Sequence, residues 1–364
     1  MSLIISSPTV YIDNKKIQYS SLSYSKDSIH ALSKLAIKSS DMNLKLLDLI
    51  KKEVKFYLNH GSTDNVPFFR GYVNSITPTS NGLTIQVLDC MQFLTGEQTQ
   101  AVKADKNNNF DGMTLGQFLY NYVTKYVNIN DKVYIGLDML NDTNPSKSLT
   151  GYRTKDPKTP LEILKKHPVI DNSMVWDNDN SDSTSLPWFL DVEDDGTKSN
   201  IMFKKLQSRT KDKIRQAVPF SLDSGLVSYS YKKHQAINTV AISGKENGSE
   251  TYLRTHDYRT AISATRYSKD VDYPDEARNE AHLIINNSRN NDIELNITVN
   301  KGFYLPVGSL IQIKQRSAPI IDGYHNIVGK KINISNNSIK CQLSLNKPKP
   351  VLSDYLEPIS NLYH

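Results

Sequence analysis

Apolar and polar residues alternate along much of the first hundred residues, a pattern that is typical of half-buried β-strands. Residues 68–73 (FFRGYV) and 83–89 (LTIQVLD) are the clearest runs, and the Asn81-Gly82 pair between them is the signal of a tight turn. The pattern therefore predicts a β-hairpin. Residues 39–59 fit either a lysine-rich amphipathic helix or paired strands, and we favour strands because the hairpin needs neighbours.

The middle of the chain changes from strand to helix periodicity. Apolar residues in 114–127 recur at helical spacing, with a capping-box pair at the start of the segment. A second, shorter helix is predicted to begin at Thr159 and end at Pro168, because a proline suits its first position and a capping glutamate follows. Residues 174–176, 188–192 and 201–203 are then predicted to form a small sheet with acidic turns, so the middle is an α+β unit.

Strand periodicity returns from about residue 218. The clearest strand is 293–299 (IELNITV), in which every second side chain is apolar. One helix, at residues 274–288, interrupts the strands, and residues 335–337 form the turn of a final hairpin. The strands predicted in this region are 227–231, 239–243, 293–299, 310–313, 327–334 and 338–345.

The order of elements predicts a mostly β protein of the α+β class. We divide it into a first β-barrel-like domain (1–100), an α+β insert (101–217), a second β-barrel-like domain with one helix (218–348) and a C-terminal tail (349–364). Closing each strand-rich end into a barrel would remove its exposed sheet edges. A length of 364 residues is enough for two or three domains with cores of their own.

Composition narrows the class of protein. Hydrophobic residues make up 38% and charged residues 23% of the chain, which fits a soluble globular protein. The N-terminus lacks the pattern of a signal peptide, and no apolar stretch is long enough to span a membrane. Cys90 and Cys341 lie in apolar runs and are predicted to be buried and reduced. The net charge of +6 is spread as single lysines, whereas residues 171–195 are acidic.

No recognised catalytic or cofactor-binding motif is present, and the histidines stand singly. Residues 177–182 resemble a calcium loop but lack its glycine and its bidentate glutamate, so we expect a solvated turn. Glu193, Asp194 and Asp195 would be the carboxylates of a glycosidase, yet nothing in the pattern isolates one of them in an apolar pocket. We therefore predict no catalytic residue, no metal site and no cofactor, although cation binding by 171–195 stays open.

Several stretches, in this order, resemble the tail hub family of contractile and long non-contractile phage tails, the late control protein D-like group. The resemblance covers nearly the whole chain, and it is carried by order and spacing more than by any one motif. The stretches are 69–73 (FRGYV), 87–94 (VLDCMQFL), the helix from Thr114, 159–164 (TPLEIL), 238–244 (NTVAISG), the 277–281 helix with 305–313 (LPVGSLIQI), and 322–328 (DGYHNIV).

The resemblance implies two tail-tube-like barrels around the insert and a structural role without catalysis. Gly71, Gly308 and Gly323 would permit backbone bends or positive φ, and Asp89 would close a turn with its side chain. It further implies a homotrimeric ring at the tail tip or baseplate of a virion. The partners implied are the tube or distal tail protein, a spike or fibre protein, the tape measure protein, and DNA passing through the lumen without sequence-specific contacts.

Three other functions remain open at this point. A tail-associated lytic enzyme would use the acidic region for its carboxylates. A hexameric tube or distal tail protein would share the fold but differ in oligomeric mass. A secreted carbohydrate-binding module would need an export signal, which the sequence does not show.

Overall fold

A computed structural model gives the fold of the chain. It describes residues 8–28, 31–40, 46–58, 66–80, 82–95, 133–135, 188–205, 211–233, 239–246, 249–256, 263–267, 293–315, 318, 321–335 and 338–345. The helices predicted at 114–127, 159–168 and 274–288 lie outside these residues, as do the strand predicted at 174–176, the 177–182 turn and the tail. The described part is dominated by strands, which confirms the mostly β class.

The first strands run from the N-terminus to the predicted hairpin. They are β1 (Thr9–Ile12), β2 (Lys15–Ile17), β3 (Ser21–Lys26), β4 (Lys34–Ser39), β5 (Glu53–Tyr57), β6 (Phe69–Thr79) and β7 (Gly82–Leu88), with a short helix α1 (Leu46–Leu49) before β5 and a 3-10 helix (Cys90–Leu94) after β7.

The later elements begin with three strands of the middle region. They are β8 (Val133–Ile135), β9 (Trp188–Asp194), β10 (Ser199–Lys205), α2 (Lys211–Gln216), β11 (Val218–Phe220), β12 (Leu226–Lys233), β13 (Thr239–Glu246), β14 (Ser249–His256), β15 (Ser263–Tyr267), β16 (Ile293–Val299), β17 (Leu310–Ile313), β18 (Gly323–Ser335) and β19 (Ser338–Leu345).

Both predicted hairpins are confirmed. β6 and β7 pair antiparallel and meet at Thr79 and Gly82, and β18 and β19 meet at Ser335 and Ser338. The preference for strands in 39–59 is right for β5 and wrong for α1. There the chain makes one helical turn between β4 and β5, and Lys51 follows it with a φ of 65°, a left-handed conformation that is common just after the end of a helix.

One large sheet contains most of the strands. Its path is β12-β16-β19-β18-β3-β4-β7-β6-β5-β1-β2, and β17 and β11 branch from β18. The strands alternate buried and exposed side chains, so that one face of the sheet forms a single apolar core. Within the described residues the path has two ends, β12 and β2. Closure of each strand-rich end into a barrel stays a prediction.

The two ends of the chain are joined in this sheet by the antiparallel pair of β3 with β18. The register runs from Lys26 opposite Lys330 to Ser21 opposite Ser335. The strand-rich ends of the chain therefore lie side by side and share a continuous backbone ladder. A pairing across more than 300 residues is the kind of contact that local sequence patterns do not reveal.

Two smaller sheets complete the described fold. β8, β10 and β9 form a three-stranded sheet in which β9 and β10 are the predicted strands with an acidic turn. β14, β13 and β15 form another, of which only β13 is predicted from the sequence. Cys90 and Cys341 are both free and buried, as expected.

Candidate functional site

A cleft of about 300 Å³ opens where the β9–β10 hairpin packs against the large sheet. It is the candidate site because it gathers most of the charged side chains that are buried in the described part of the chain. The hairpin belongs to the middle region, while the opposite wall comes from the two strand-rich ends. The charged residues used below are Lys26, Arg70, Asp89, Asp191, Asp194, Lys204 and Lys330.

Arg70 is the centre of one half of the cleft. Its side chain is 1% exposed and makes a bidentate pair with Asp194, through Nε to Oδ2 and through Nη2 to Oδ1 at 3.0 Å. Nη1 donates to Glu53 Oε1 at 3.0 Å and to the Thr197 carbonyl at 2.8 Å, and Nη2 donates to the Gly196 carbonyl at 2.9 Å. All five guanidinium donors are thus used, which binds the hairpin turn to β5 and β6.

A second group of ion pairs fixes the other half. Lys26 Nζ, on a side chain that is 2% exposed, pairs with Asp191 Oδ1. Lys204 Nζ donates to Asp191 Oδ2 at 2.8 Å and also pairs with Glu193. Burial disfavours the charged form of Asp191, but the two ammonium groups outweigh it and lower the pKa of this carboxyl. Asp191 therefore joins β3 to the β9–β10 hairpin as a charged acceptor.

Asp89 is buried where β7 leads into the 3-10 helix. Its Oδ1 accepts from the Met91 amide at 3.0 Å and its Oδ2 accepts from the Ser33 amide at 2.7 Å. The side chain thus caps the helix and also ties it to the start of β4. Burial raises the pKa of Asp89 to about 6, against the opposing effects of Lys26 and these hydrogen bonds.

Lys330 is a buried lysine in the cleft whose ammonium contacts a backbone carbonyl and an aromatic ring. Its Nζ donates to the Leu305 carbonyl at 2.8 Å and lies 4.8 Å from the centre of the Phe68 ring. It stands directly opposite Lys26 in the β3–β18 register, so two lysines share the buried face of this pair. Burial lowers the pKa of Lys330 to about 8, and the charges of Cys341 and Asp191 oppose this only in part.

We expect Lys330→Met to stabilise the protein at pH 7 by about 1 to 2 kcal/mol, because it removes a buried charge at the cost of one hydrogen bond. The folded pKa of about 8 lies below the ordinary value of 10.5, so the penalty is complete below pH 8 and is relieved as the pH rises to 10.5. Urea unfolding should show the wild type gaining about 3 kcal/mol on the variant over that range.

The exposed neighbour Lys331 provides the control for this experiment. Lys331→Met should change the free energy of unfolding by about 0.5 kcal/mol or less. A Lys330→Met variant whose difference from the wild type is the same at both pH values would contradict the assignment of a buried ammonium.

The residues singled out from the sequence lie at turns and close approaches around the sheet. Gly308 has a φ of 93° and Gly323 a φ of 125°, conformations that favour glycine. Gly71 instead has extended backbone inside β6, where it pairs with Val54. The need for glycine there is steric, since a Cβ would collide with the Leu88 carbonyl oxygen of the neighbouring strand.

We expect Gly71→Ala to lower the free energy of unfolding by about 3 kcal/mol, because the carbonyl that it meets belongs to a paired strand and cannot rotate away. Thr77→Ala, at the exposed end of the same strand, is the control and should cost about 0.5 kcal/mol or less. Equal urea midpoints for the two variants would show that β6 and β7 can separate at Gly71 without cost.

The three carboxylates considered for a lytic site, Glu193, Asp194 and Asp195, make ion pairs or hydrogen bonds within the β9–β10 hairpin or with Arg70. Asp194 is held by Arg70, and Glu193 pairs with Lys204. Burial raises the pKa of Asp195, but hydrogen bonds from the Thr197 hydroxyl at 2.7 Å and from the backbone amides of Lys198 at 2.8 Å and Thr197 at 2.9 Å outweigh it and lower the pKa to about 2. Burial raises the pKa of Asp194, but Arg70 holds both of its carboxylate oxygens, and Glu193 and Asp195 are exposed. None of the three therefore lies in the apolar pocket that a glycosidase acid needs.

Within the residues that the structure describes, no three side chains of His, Cys, Asp or Glu lie close enough together to hold a metal ion. No helix of this part of the chain is long and apolar enough to cross a membrane.

The edge of the large sheet carries a second feature. Among the described strands, β12 pairs with β16 alone. Tyr229 and Tyr231 stand opposite Ile297 and Leu295, on the face that forms the core, but they are 37% and 51% exposed whereas their partners are buried. Val227, at a bulge in the same strand, is 56% exposed. The apolar face therefore continues onto an open edge strand, which is a surface suited to protein contact.

Comparison with known proteins bears on the fold. No protein-family model matches the chain, and no curated protein sequence matches it. Solved structures do match. The tail protein of Neisseria meningitidis is 12% identical and has a TM-score of 0.65 over 94% of this chain and 96% of its own. The 43 kDa tail protein of prophage MuSo2 from Shewanella oneidensis is 13% identical, with a TM-score of 0.64 over 94% and 98%.

The chain has the fold of phage tail proteins. A component of the type VI secretion system of Escherichia coli, described as similar to bacteriophage T4 tail proteins, also matches, with 11% identity and a TM-score of 0.55 over 94% of this chain and 77% of its own. At these identities the likeness shows the fold alone. It confirms the resemblance seen in the sequence at that level, and it extends over nearly the whole length of the chain.

Proposed function

We propose that this chain is a structural tail hub, which forms a homotrimeric ring at the distal end of a phage-type tail tube. The observation that carries the proposal is a tail-protein fold that extends over 94% of the chain. In the virion the ring lies at the tail tip or baseplate, between the tube or distal tail protein and a spike or fibre protein. It surrounds a conduit for DNA and meets the tape measure protein.

The arrangement of the large sheet supports a ring in which each chain contributes two similar β units. The β3–β18 pair holds the first strand-rich end, 1–100, beside the second, 218–348. Three such chains would offer six similar faces to a sixfold tube and three to a spike. The open strand β12, with its exposed tyrosines, supports contact between neighbouring chains at a sheet edge.

The buried ion pairs support a structural role for the insert. Arg70 and Lys26 come from the first strand-rich end, while Asp194 and Asp191 come from the hairpin of the middle region. These contacts hold the β9–β10 hairpin of the insert against the large sheet. A hub that transmits load between a tube and a spike needs such fixed connections, and the cleft between the two parts serves as a joint and not as an active site.

Electron microscopy of the purified chain tests the proposal. We expect rings with a central opening and threefold averages in which six similar densities surround the opening. Rings of six identical subunits would indicate a tube or distal tail protein, and single globular particles at micromolar concentration would contradict ring formation.

The proposal also predicts that the chain does not hydrolyse cell wall. Purified peptidoglycan incubated with the protein should release no soluble fragments above a buffer control. Release that disappears in the Glu193→Gln variant would favour the lytic alternative, because that change removes a carboxylate while keeping the size of the side chain.

A further inference from the structure

The face of the large sheet that turns away from the core has an unusual composition. In β16, β19, β3, β4 and the part of β18 after its bulge (330–335), the side chains that alternate with buried residues are almost all polar, and most are short. The side chains of β12 that stand opposite this face of β16 are of the same kind. They are Ser228, Ser230, Lys232, Glu294, Asn296, Thr298, Ser338, Lys340, Gln342, Ser344, Lys331, Asn333, Ser335, Ser21, Ser23, Ser25, Lys34, Ala36 and Lys38. We call this set the polar face. None of these residues is aromatic; Tyr324, in the part of β18 before the bulge, is not one of them.

Hydrogen bonds between strands hold the polar face together. Ser23 Oγ donates to Asn333 Oδ1 at 2.8 Å, across the pair that joins the two ends of the chain. Ser344 Oγ donates to Asn296 Oδ1 at 2.7 Å, between β19 and β16. These short side chains lie low on the sheet and engage one another, so the longer lysines are the groups that reach outward.

The charge on the polar face is unbalanced. It carries the five lysines at positions 34, 38, 232, 331 and 340 and one carboxylate, Glu294. Asp27, just beyond the end of β3, adds a second carboxylate at the rim of a shallow groove of about 480 Å³ on this face. The whole chain has a formal charge of only +6, so the polar face holds a large part of the excess positive charge. Such a surface is complementary to a polyanion.

We infer that the polar face is the surface that contacts nucleic acid passing through the ring. The inference rests on the proposed hub function, and it specifies which side of the sheet faces the conduit and which groups touch the phosphates. Ammonium groups and hydroxyls contact phosphate oxygens without reading base sequence. The absence of aromatic side chains from the polar face favours a duplex, since single strands are held by stacking of bases on aromatic rings.

The low density of lysines has a functional consequence. A few ammonium groups spread over a neutral hydroxyl surface give contacts that are weak, sensitive to salt and independent of sequence. Such contacts keep a duplex centred without holding it. A denser basic surface would bind the DNA more tightly and slow its passage, whereas an apolar surface would offer no polar groups to the hydrated phosphates.

Titration of a labelled duplex of about 30 base pairs with the full chain tests the inference. We expect a dissociation constant of roughly 1 to 100 µM at about 50 mM salt, which weakens as salt is raised. A variant in which Lys38, Lys331 and Lys340 are changed to serine should bind at least about tenfold more weakly. The slope of log affinity against log salt should become shallower by about 3, since each phosphate contact contributes about 0.9.

A control variant changes three exposed lysines away from the polar face, with the same loss of net charge. These are Lys15, Lys16 and Lys314. We expect this variant to keep the slope of the wild type. Equal losses in both variants would overturn the inference, because they would show that only net charge matters. Wild-type protein that binds no duplex at low salt would overturn it as well.

Two further measurements distinguish a failure of the nucleic-acid inference from a failure of the hub proposal. A polyglutamate peptide replaces the duplex in the same titration. Binding of the peptide but not of DNA, lost in the polar-face variant, would assign the surface to an acidic protein and overturn the nucleic-acid inference. Native mass spectrometry of the variant shows whether the ring is intact. Trimers that fail to contact DNA through these lysines would sink this inference and leave the hub proposal standing.

Discussion

Arg70→Met should lower the free energy of unfolding by about 3 to 5 kcal/mol, the largest effect that we expect from a single substitution. The change leaves Asp194 and Glu53 buried without their cation and removes the donors to the carbonyls of Gly196 and Thr197. A charge that is buried without a partner costs far more than the net value of the ion pair itself. Urea unfolding followed by fluorescence measures the loss.

Two further variants test whether the loss of stability depends on the geometry of the Arg70 guanidinium. Arg70→Lys keeps the charge but cannot supply five donors in a planar array, so its loss should be intermediate. Lys52→Met breaks the pair with Asp13, in which both side chains are about half exposed, and should cost about 1 kcal/mol or less. If Arg70→Met and Lys52→Met shifted the urea midpoint equally, the Arg70 network would not be what holds the hairpin.

Tyr229→Glu combined with Tyr231→Glu should abolish ring assembly while leaving the chain folded. Both side chains are on the open strand β12 and more than a third exposed, so the free chain loses little by the change. In the proposed ring they are buried between subunits, where tyrosines often contribute 2 kcal/mol or more, and a buried carboxylate would add a penalty. Together the changes should weaken association by about a thousandfold or more.

Sedimentation velocity, with circular dichroism as a check on folding, measures this effect. Tyr304→Glu is the control, because Tyr304 is 54% exposed but lines the cleft beside the β9–β10 hairpin and is not part of β12. We expect the control to sediment like the wild type and the double variant to sediment as a single chain. Dissociation by both variants, or by neither, would show that β12 is not the contact between subunits.

Local patterns in the sequence account for the elements that depend on neighbouring residues. The β6–β7 and β18–β19 hairpins follow from alternation and from polar turns, and β16, β17 and β19 lie where periodicity predicts them. β9 and β10 lie at two of the three runs that the pattern assigns to a small sheet with acidic turns. The helix α1 is not predicted from the sequence, because its four residues make a single turn, and so short a segment has no periodicity that distinguishes a helix from a strand.

Contacts between distant parts of the chain could not be predicted in this way. The β3–β18 pair and the attachment of the β9–β10 hairpin depend on tertiary packing. A signal for the cleft does exist in the sequence. Lys26 and Lys330 occupy the buried phase of their strands, in step with Leu22 and Ile332. Charged residues at apolar positions indicate a buried partner, but the partner, Asp191 in the case of Lys26, is visible only in the fold.

The copy number of the assembled protein tests the central claim most directly. Native mass spectrometry of the purified chain, at several micromolar and at physiological ionic strength, reports that number without assumptions about shape. The hub account predicts a dominant species of three chains. A dominant species of six chains, or a single chain that does not associate as its concentration is raised, would contradict it.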